Sequence, residues 1–279
     1  MKKGITILVF CCITFFINAQ VTGVFLINEM VEKCKAVKTL RYTQIKKEMT
    51  DGVIRNQVMN AKMQVSPFKI YFFQKSPKEG LEGLFVTGKN NNELLINPNR
   101  FPWINISLDP YGNTVRKNNH HVVFQSGFQY MADILNRFIV QYGNNAEKNF
   151  IVNGSENYKS FDCWKMTINA PNFHYYEHTV KSGETVTSIA NKVLVNDYMI
   201  LRENNLSGYN DISIGDIIKV PSAYGKKIDI WFDKKIKLLR KVVIYDERGF
   251  YESFEYPIIK INPTIEPEEF TEDYDSYGF

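Results

Sequence analysis

HTVKSGETVTSIANKV, residues 178–193, breaks the pattern of the chain on either side of it. Upstream, CWKMTIN (163–169) places Trp164, Met166 and Ile168 on one face of an extended segment. Downstream, KIDIWFD (227–233) reads the same way. Such alternation at every second residue is the signature of a half-buried strand. The quoted stretch reads instead as a short strand, a tight turn and a helix start. Gly183 supplies the positive φ of the turn. Thr185 can cap a helix that buries Val186, Ile189, Ala190 and Val193. Asn205 and Gly208 then fit a helix stop. A unit this short has a marginal core of its own, so it is expected to be held at both ends by a larger scaffold. If its first and last strands pair antiparallel, entry and exit lie side by side, and the unit fits into a hairpin loop of its host. Strands 163–169 and 227–233 are then predicted to be neighbours.

Away from that stretch the spacing predicts a helix over 22–38, carrying Val24, Ile27, Met30, Val31, Cys34 and Val37 on one stripe. Met59, Ala61, Met63 and Val65 alternate with polar residues, and so do Phe68, Ile70 and Phe72. Further strands are expected at 81–87, 93–97, 103–109, 161–169, 238–245 and 250–257. Ser126 and Gln129 have the spacing of a capping box, ahead of a helix from 127 to about 140 with Phe128, Met131, Leu135 and Phe138 inward. Asp246-Glu247-Arg248-Gly249 predicts a hairpin turn. One or two helices with many antiparallel strands make an α+β fold. A bent sheet only partly covered by helices leaves an apolar pocket; fully covered, the same residues simply fill a core.

The 279 residues suit one large domain or two smaller ones, and 44% apolar and 14% aromatic content can fill a core. A net charge of +4 with scattered Lys and Arg excludes a nucleic-acid surface. At the N-terminus, Met1-Lys2-Lys3, the apolar run Ile5–Ile17 and Asn18-Ala19-Gln20 form a secretory signal peptide, cut after Ala19. The run is short for a membrane span, and Cys11 follows Phe10, which argues against lipoprotein processing. After cleavage no transmembrane span remains. Cys34 and Cys163 remain, either paired or as two buried thiols.

No catalytic constellation stands out: Asp and Glu are plentiful enough for a two-carboxylate glycosidase, but nothing singles out a pair. Neither thiol has a base beside it. The histidines, His120, His121, His174 and His178, lack metal-ligand spacing, and the adjacent pair is expected at the surface with diverging side chains. The tail, 262–279, has six acidic residues and no basic one, with Phe270, Tyr274, Tyr277 and Phe279 interspersed. It is expected to dock on the body with its carboxylates outward.

Residues 178–221 resemble a LysM module, a small βααβ glycan-binding domain. Thr179-Val180-Lys181 matches its first strand, Gly183-Glu184-Thr185 its turn (Glu184 replaces the usual Asp), and Ser188-Ile189-Ala190 its first helix. Tyr198 to Asn205 matches the second helix, Ile214-Gly215-Asp216 the turn, and Ile217 to Pro221 the last strand. Val195-Asn196-Asp197 and Gly208-Tyr209-Asn210-Asp211 depart mildly from the pattern. The resemblance implies binding of N-acetylglucosamine polymers such as peptidoglycan. It places the groove between Gly183, Glu184, Thr185 and Val186 on one side and Leu206, Ser207, Asn210, Asp211 and Ile212 on the other. The host is more faintly similar to the lipoprotein-carrier (LolA-like) superfamily, through its helix-first, strand-rich order, the run IDIWFDKKIKLLRKVVIYDERGFYESFEY and the ending INPTIEPEEFTEDYDSYGF. That resemblance implies a curved half barrel with an apolar cavity for a lipid or lipoprotein.

The expected organisation is a signal peptide at 1–19, a discontinuous host at 20–175 and 225–279, and the module at 176–223. The expected function is non-enzymatic: an exported, periplasmic or extracellular protein that binds peptidoglycan through the module while its host domain holds a lipid or other apolar ligand, with no cofactor and no metal. A cargo-free adaptor and a peptidoglycan hydrolase are the alternatives.

Overall fold

The structure, a computed structural model, describes residues 21–101 and 103–279; the signal segment at 1–19 lies outside them. The described residues form an α+β fold. Its strands are β1 (Thr39–Thr50), β2 (Val53–Gln64), β3 (Lys69–Ser76), β4 (Glu82–Val86), β5 (Leu94–Asn97), β6 (Ile106–Leu108), β7 (Phe150–Tyr158), β8 (Phe161–Asn169), β9 (Tyr175–Thr179), β10 (Ile217–Pro221), β11 (Lys227–Asp233), β12 (Leu239–Asp246) and β13 (Gly249–Ile261). The helices are α1 (Gly23–Lys35), α2 (Asn113–Arg116), α3 (Gln129–Tyr142), α4 (Ala146–Asn149), α5 (Val186–Val193) and α6 (Asp197–Glu203).

Eleven strands make one curved, open antiparallel sheet in the order β6-β5-β4-β3-β2-β1-β13-β12-β11-β8-β7. Hairpins build most of it. Asp51 (φ 52°) and Gly52 (φ 76°) close the β1–β2 turn, in the left-handed conformations that a two-residue hairpin demands. The β12–β13 turn forms where expected, with Asp246 opposite Gly249. The two halves of the sheet meet at its middle, where β1 pairs with β13 and Leu40 lies opposite Ile261.

The sheet carries α1 and α3 on one face. Thr22 caps α1 by accepting from the Phe25 amide (3.2 Å), and Leu26, Ile27, Met30 and Cys34 face inward at helical spacing. From α3, Ile134, Leu135 and Phe138 join the same core, against Leu40, Ile70, Met166, Ile230 and Val242 of the sheet. The capping box expected at Ser126 does not form. Gly127 takes a left-handed φ of 84°, which separates Ser126 from the helix, and Gln129 turns instead to Asp133 at 2.7 Å. The helix therefore starts at Gln129. Cys34 and Cys163 are both buried and unpaired.

Between β8 and β11 the chain leaves the sheet and returns. Those two strands are adjacent, with Asn169 opposite Lys227 and Cys163 opposite Asp233. The intervening β9 and β10 pair only with each other, Tyr175 opposite Pro221 and Thr179 opposite Ile217. Here α5 and α6 close a second core of Val180, Val186, Ile189, Ala190, Ile200, Ile218 and Val220. Both helices are capped from their own sequence: Thr185 exchanges bonds with Ser188, and Asn196 accepts from the Tyr198 amide. Tyr198 and Met199, on the other side of α6, belong to the main core. The unit is thus folded on itself and also fastened to the sheet.

The tail docks on β3 and β4, where Phe270 joins Tyr71 and Leu84. Its carboxylates do not all face outward. Glu269 is buried, because Arg41 (2.6 Å) and Lys62 (2.8 Å) both reach it.

Candidate functional site

The two turns expected to flank the groove come together. The Val186 amide donates to the Tyr209 carbonyl at 3.1 Å, which pins the turn at 183–186 to the loop at 206–212. Gly183 is exposed with φ 76°. Val186 is fully buried, and Leu206 and Ile212 pack partly against the same small core. Ser207 and Asp211 bond each other, amide to carboxylate at 3.1 Å and hydroxyl to carboxylate at 2.7 Å. The Glu184 carboxylate is taken up by Lys192 (2.6 Å), His178 (2.8 Å) and the Lys181 amide (3.0 Å), which together hold it at about 2. Glu184 therefore orders the first turn.

Of the expected residues, Thr185 and Asn210 line a cleft of about 280 Å3, together with Thr187, Ser188, Asn191 and Tyr209. Its opposite wall comes from the host: Asp109, Tyr111, Asn113 and Arg116. Sequence reasoning missed this wall. Nothing in a polar loop such as DPYGNTVR marks a partner far along the chain.

Arg116 fastens the wall. Its guanidinium lies 3.1 Å from the Tyr209 ring centroid, in the geometry of a cation–π contact. Its Nη1 donates to Thr187 Oγ1 at 2.8 Å, and Thr187 in turn donates to Asp197 at 2.9 Å. Nη2 lies 2.5 Å from Asp197 Oδ2, an ion pair without the alignment of a hydrogen bond, and Nε has no partner. Burial, the largest influence, pushes the Tyr111 and Tyr209 hydroxyls above their ordinary range, so both stay protonated donors.

Beneath the unit, α6 docks through a buried polar network. The His120 ring is stacked between Tyr198 (4.6 Å) and Tyr251 (4.3 Å). Its Nδ1 lies 2.9 Å from Glu252 Oε2 and its Nε2 lies 3.0 Å from the Met49 carbonyl. His121 Nε2 meets the same Glu252 oxygen at 3.0 Å, and the Tyr224 hydroxyl donates to the other at 2.8 Å. The histidine pair thus converges on one carboxylate rather than diverging at the surface, and His120 is fully buried. Burial works to raise the Glu252 carboxyl, but His121 and His120 outweigh it and hold the group well below the usual range. Burial likewise works to lower His121, and Glu252 outweighs it, so His121 lies above its ordinary value. Asn196 ties this network to the unit: its Oδ1 accepts from the Tyr251 hydroxyl (2.7 Å) and its Nδ2 donates to the His120 carbonyl (3.2 Å).

Glu48, His120 and Glu252 bring ligand-type atoms within 4.8 Å of one another. Lys46 Nζ, 2.9 Å from Glu48 Oε2, already supplies a cation there, and both His120 nitrogens are engaged. The group fits an ion-pair network better than a metal centre.

No helix of the described residues is long and apolar enough to cross a membrane. Residues 178–221 match the LysM domain. No curated protein matches the chain. Solved structures of similar topology are distant. LprF from Mycobacterium bovis has 9% identity and a TM-score of 0.44, covering 88% of this chain and 96% of its own. The lipoprotein LppX from Mycobacterium tuberculosis has 10% identity and a TM-score of 0.42, covering 88% and 97%. A LolA superfamily protein from Nitrosomonas europaea has 10% identity and a TM-score of 0.35, covering 91% and 99%. Residues 37–187, more than half the chain, match the family described as protein of unknown function (DUF1571), and the chain belongs to that family.

Proposed function

We propose that this is a non-enzymatic glycan-binding protein of the cell envelope, exported by its N-terminal segment, which holds peptidoglycan through residues 176–223. The observation that carries this reading is the polar cleft beside Thr185 and Asn210, on a unit that matches the LysM domain. Hydroxyl and amide side chains around a small cleft suit a saccharide better than an acyl chain. The discontinuous host, 20–175 and 225–279, is a scaffold in this reading. Leu26, Ile27, Ile134, Leu135 and the unit's own Met199 are buried in one core with the sheet, so these apolar side chains already pack on one another. This supports the adaptor role over the carrier role.

Sedimentation with insoluble peptidoglycan tests the glycan reading. The wild-type chain is expected to pellet, and Asn210→Ala and Ile212→Asp to remain soluble. Wild-type protein that stays in the supernatant would refute the reading. Release of soluble muropeptides would establish a hydrolase instead. Native mass spectrometry tests the host: a clean apo mass is expected, and co-purified lipid would restore the carrier role.

A further inference from the structure

We propose that the host wall of the cleft is an additional saccharide subsite, one that extends the module's groove onto the loop Asp109–Arg116. This rests on the glycan reading above. A LysM unit acting alone would present its groove to open solvent. Here a second surface faces it across about 280 Å3, near the lower end of ligand-cleft sizes, roughly 300 Å3.

The wall is built into the fold. Arg116 is buried, and its contacts to Tyr209, Thr187 and Asp197 fix α2 against the unit. Its side chain is almost wholly enclosed, so it sets the wall in place while Tyr111 and Asn113 face the ligand. Asn113 reaches the second loop, where its Nδ2 would stand 3.5 Å from a Cβ placed on Gly208. Tyr111 is held by a turn in which its amide donates to Asp109 Oδ1 at 2.9 Å. Tyr111 is 44% exposed, with the Phe124 ring 5.4 Å from its own, and offers its remaining aromatic surface to the apolar side of a pyranose ring. Asn191 from α5 and Asn210 from the loop supply amides across from it. An aromatic face opposed by amides and hydroxyls is chemistry for an N-acetylated sugar. The ligand is therefore an oligomer whose further unit rests on the host.

Isothermal titration of the full chain with N-acetylglucosamine oligomers of increasing length tests this. Wild-type affinity is expected to rise with length. Tyr111→Ala is expected to lose about tenfold for the longer oligomers and to leave the shortest ligand that binds unchanged. Asn113→Ala is the second variant, with circular dichroism and melting temperature confirming that each is folded. Length dependence that survives in both folded variants overturns the subsite and leaves the glycan reading standing. No binding of any oligomer by wild type overturns both. Equal loss at every length shows a wall that only braces the module, and also overturns the subsite.

Discussion

The guanidinium of Arg116 lies over the ring of Tyr209, 3.1 Å from its centroid, and so joins a helix of the host to a loop of the inserted unit. The same side chain pairs with Asp197 at the start of α6. Both charges are almost wholly out of solvent, with side chains 1% and 6% exposed. Removing one partner of such a pair leaves the other desolvated, and Arg116→Ala is expected to cost ~3–5 kcal/mol. Replacing both with apolar side chains, Arg116→Met with Asp197→Leu, is expected to recover most of that loss. Urea unfolding of the single and double variants decides. A single variant as stable as wild type would show that the pair does not fasten the unit.

Glu252 and His121 give the buried network beneath the unit its pH response. Glu252 is depressed below its ordinary 4.5, so its stabilisation is complete above that pH and fades as pH falls. His121 is raised above 6.5, so its stabilisation is complete below that pH and fades as pH climbs through the raised value. Their joint contribution is therefore greatest between about 4.5 and 6.5. Removing the imidazole with His121→Phe leaves a buried acceptor short of a donor, at ~1–3 kcal/mol near pH 5.5. The deficit is expected to shrink towards pH 9, where wild type has lost the same charge. Thermal melts across that range check the sign, and a constant deficit would sink the assignment.

The inserted unit was legible because its signals are local. Gly183 and the Thr185 cap each act within a few residues; the Asn196 cap, in a stretch that departs from the module's pattern, emerged only in the structure. The β11–β13 run was legible from alternation and its turn. By contrast β1 left no apolar pattern, although it is central to the sheet. Its inward positions run Leu40, Tyr42, Gln44, Lys46, Glu48, Thr50, turning polar where Lys46 and Glu48 approach the buried network around His120. Alternation of burial was present, but alternation of hydropathy was not. The edge strand β7 was hidden for the opposite reason: most of it is exposed, and Gly154-Ser155-Glu156-Asn157 reads as a loop. The burial of His120 and the placement of Arg116 depend on partners some 70 to 130 residues away, which no spacing rule addresses.

The docked tail supplies the last test. Tyr277 stacks on Tyr71 at 3.7 Å with the rings nearly parallel, and its hydroxyl donates to the Glu269 carbonyl at 2.7 Å. Lys62 Nζ donates to that hydroxyl at 2.9 Å and pairs with Glu269. Burial acts to raise the Glu269 carboxyl, but Arg41 and Lys62 outweigh it and hold the group at about 2. The Glu269 carboxylate and the Tyr277 ring thus clamp the tail beside the buried Phe270. Glu269→Gln is expected to cost ~2 kcal/mol, less than a fully buried pair because Arg41 is partly exposed. Since the carboxyl is depressed, the wild-type advantage holds above pH 4.5 and fades as pH drops towards 2. Exposed Glu268 serves as the control, and Glu268→Gln is expected to be neutral. Limited proteolysis, followed at the C-terminus by mass spectrometry, reads the docking directly. Faster trimming of Glu269→Gln and of Tyr277→Ala than of Glu268→Gln is the expected outcome, and equal trimming of all three would show that these contacts do not hold the tail.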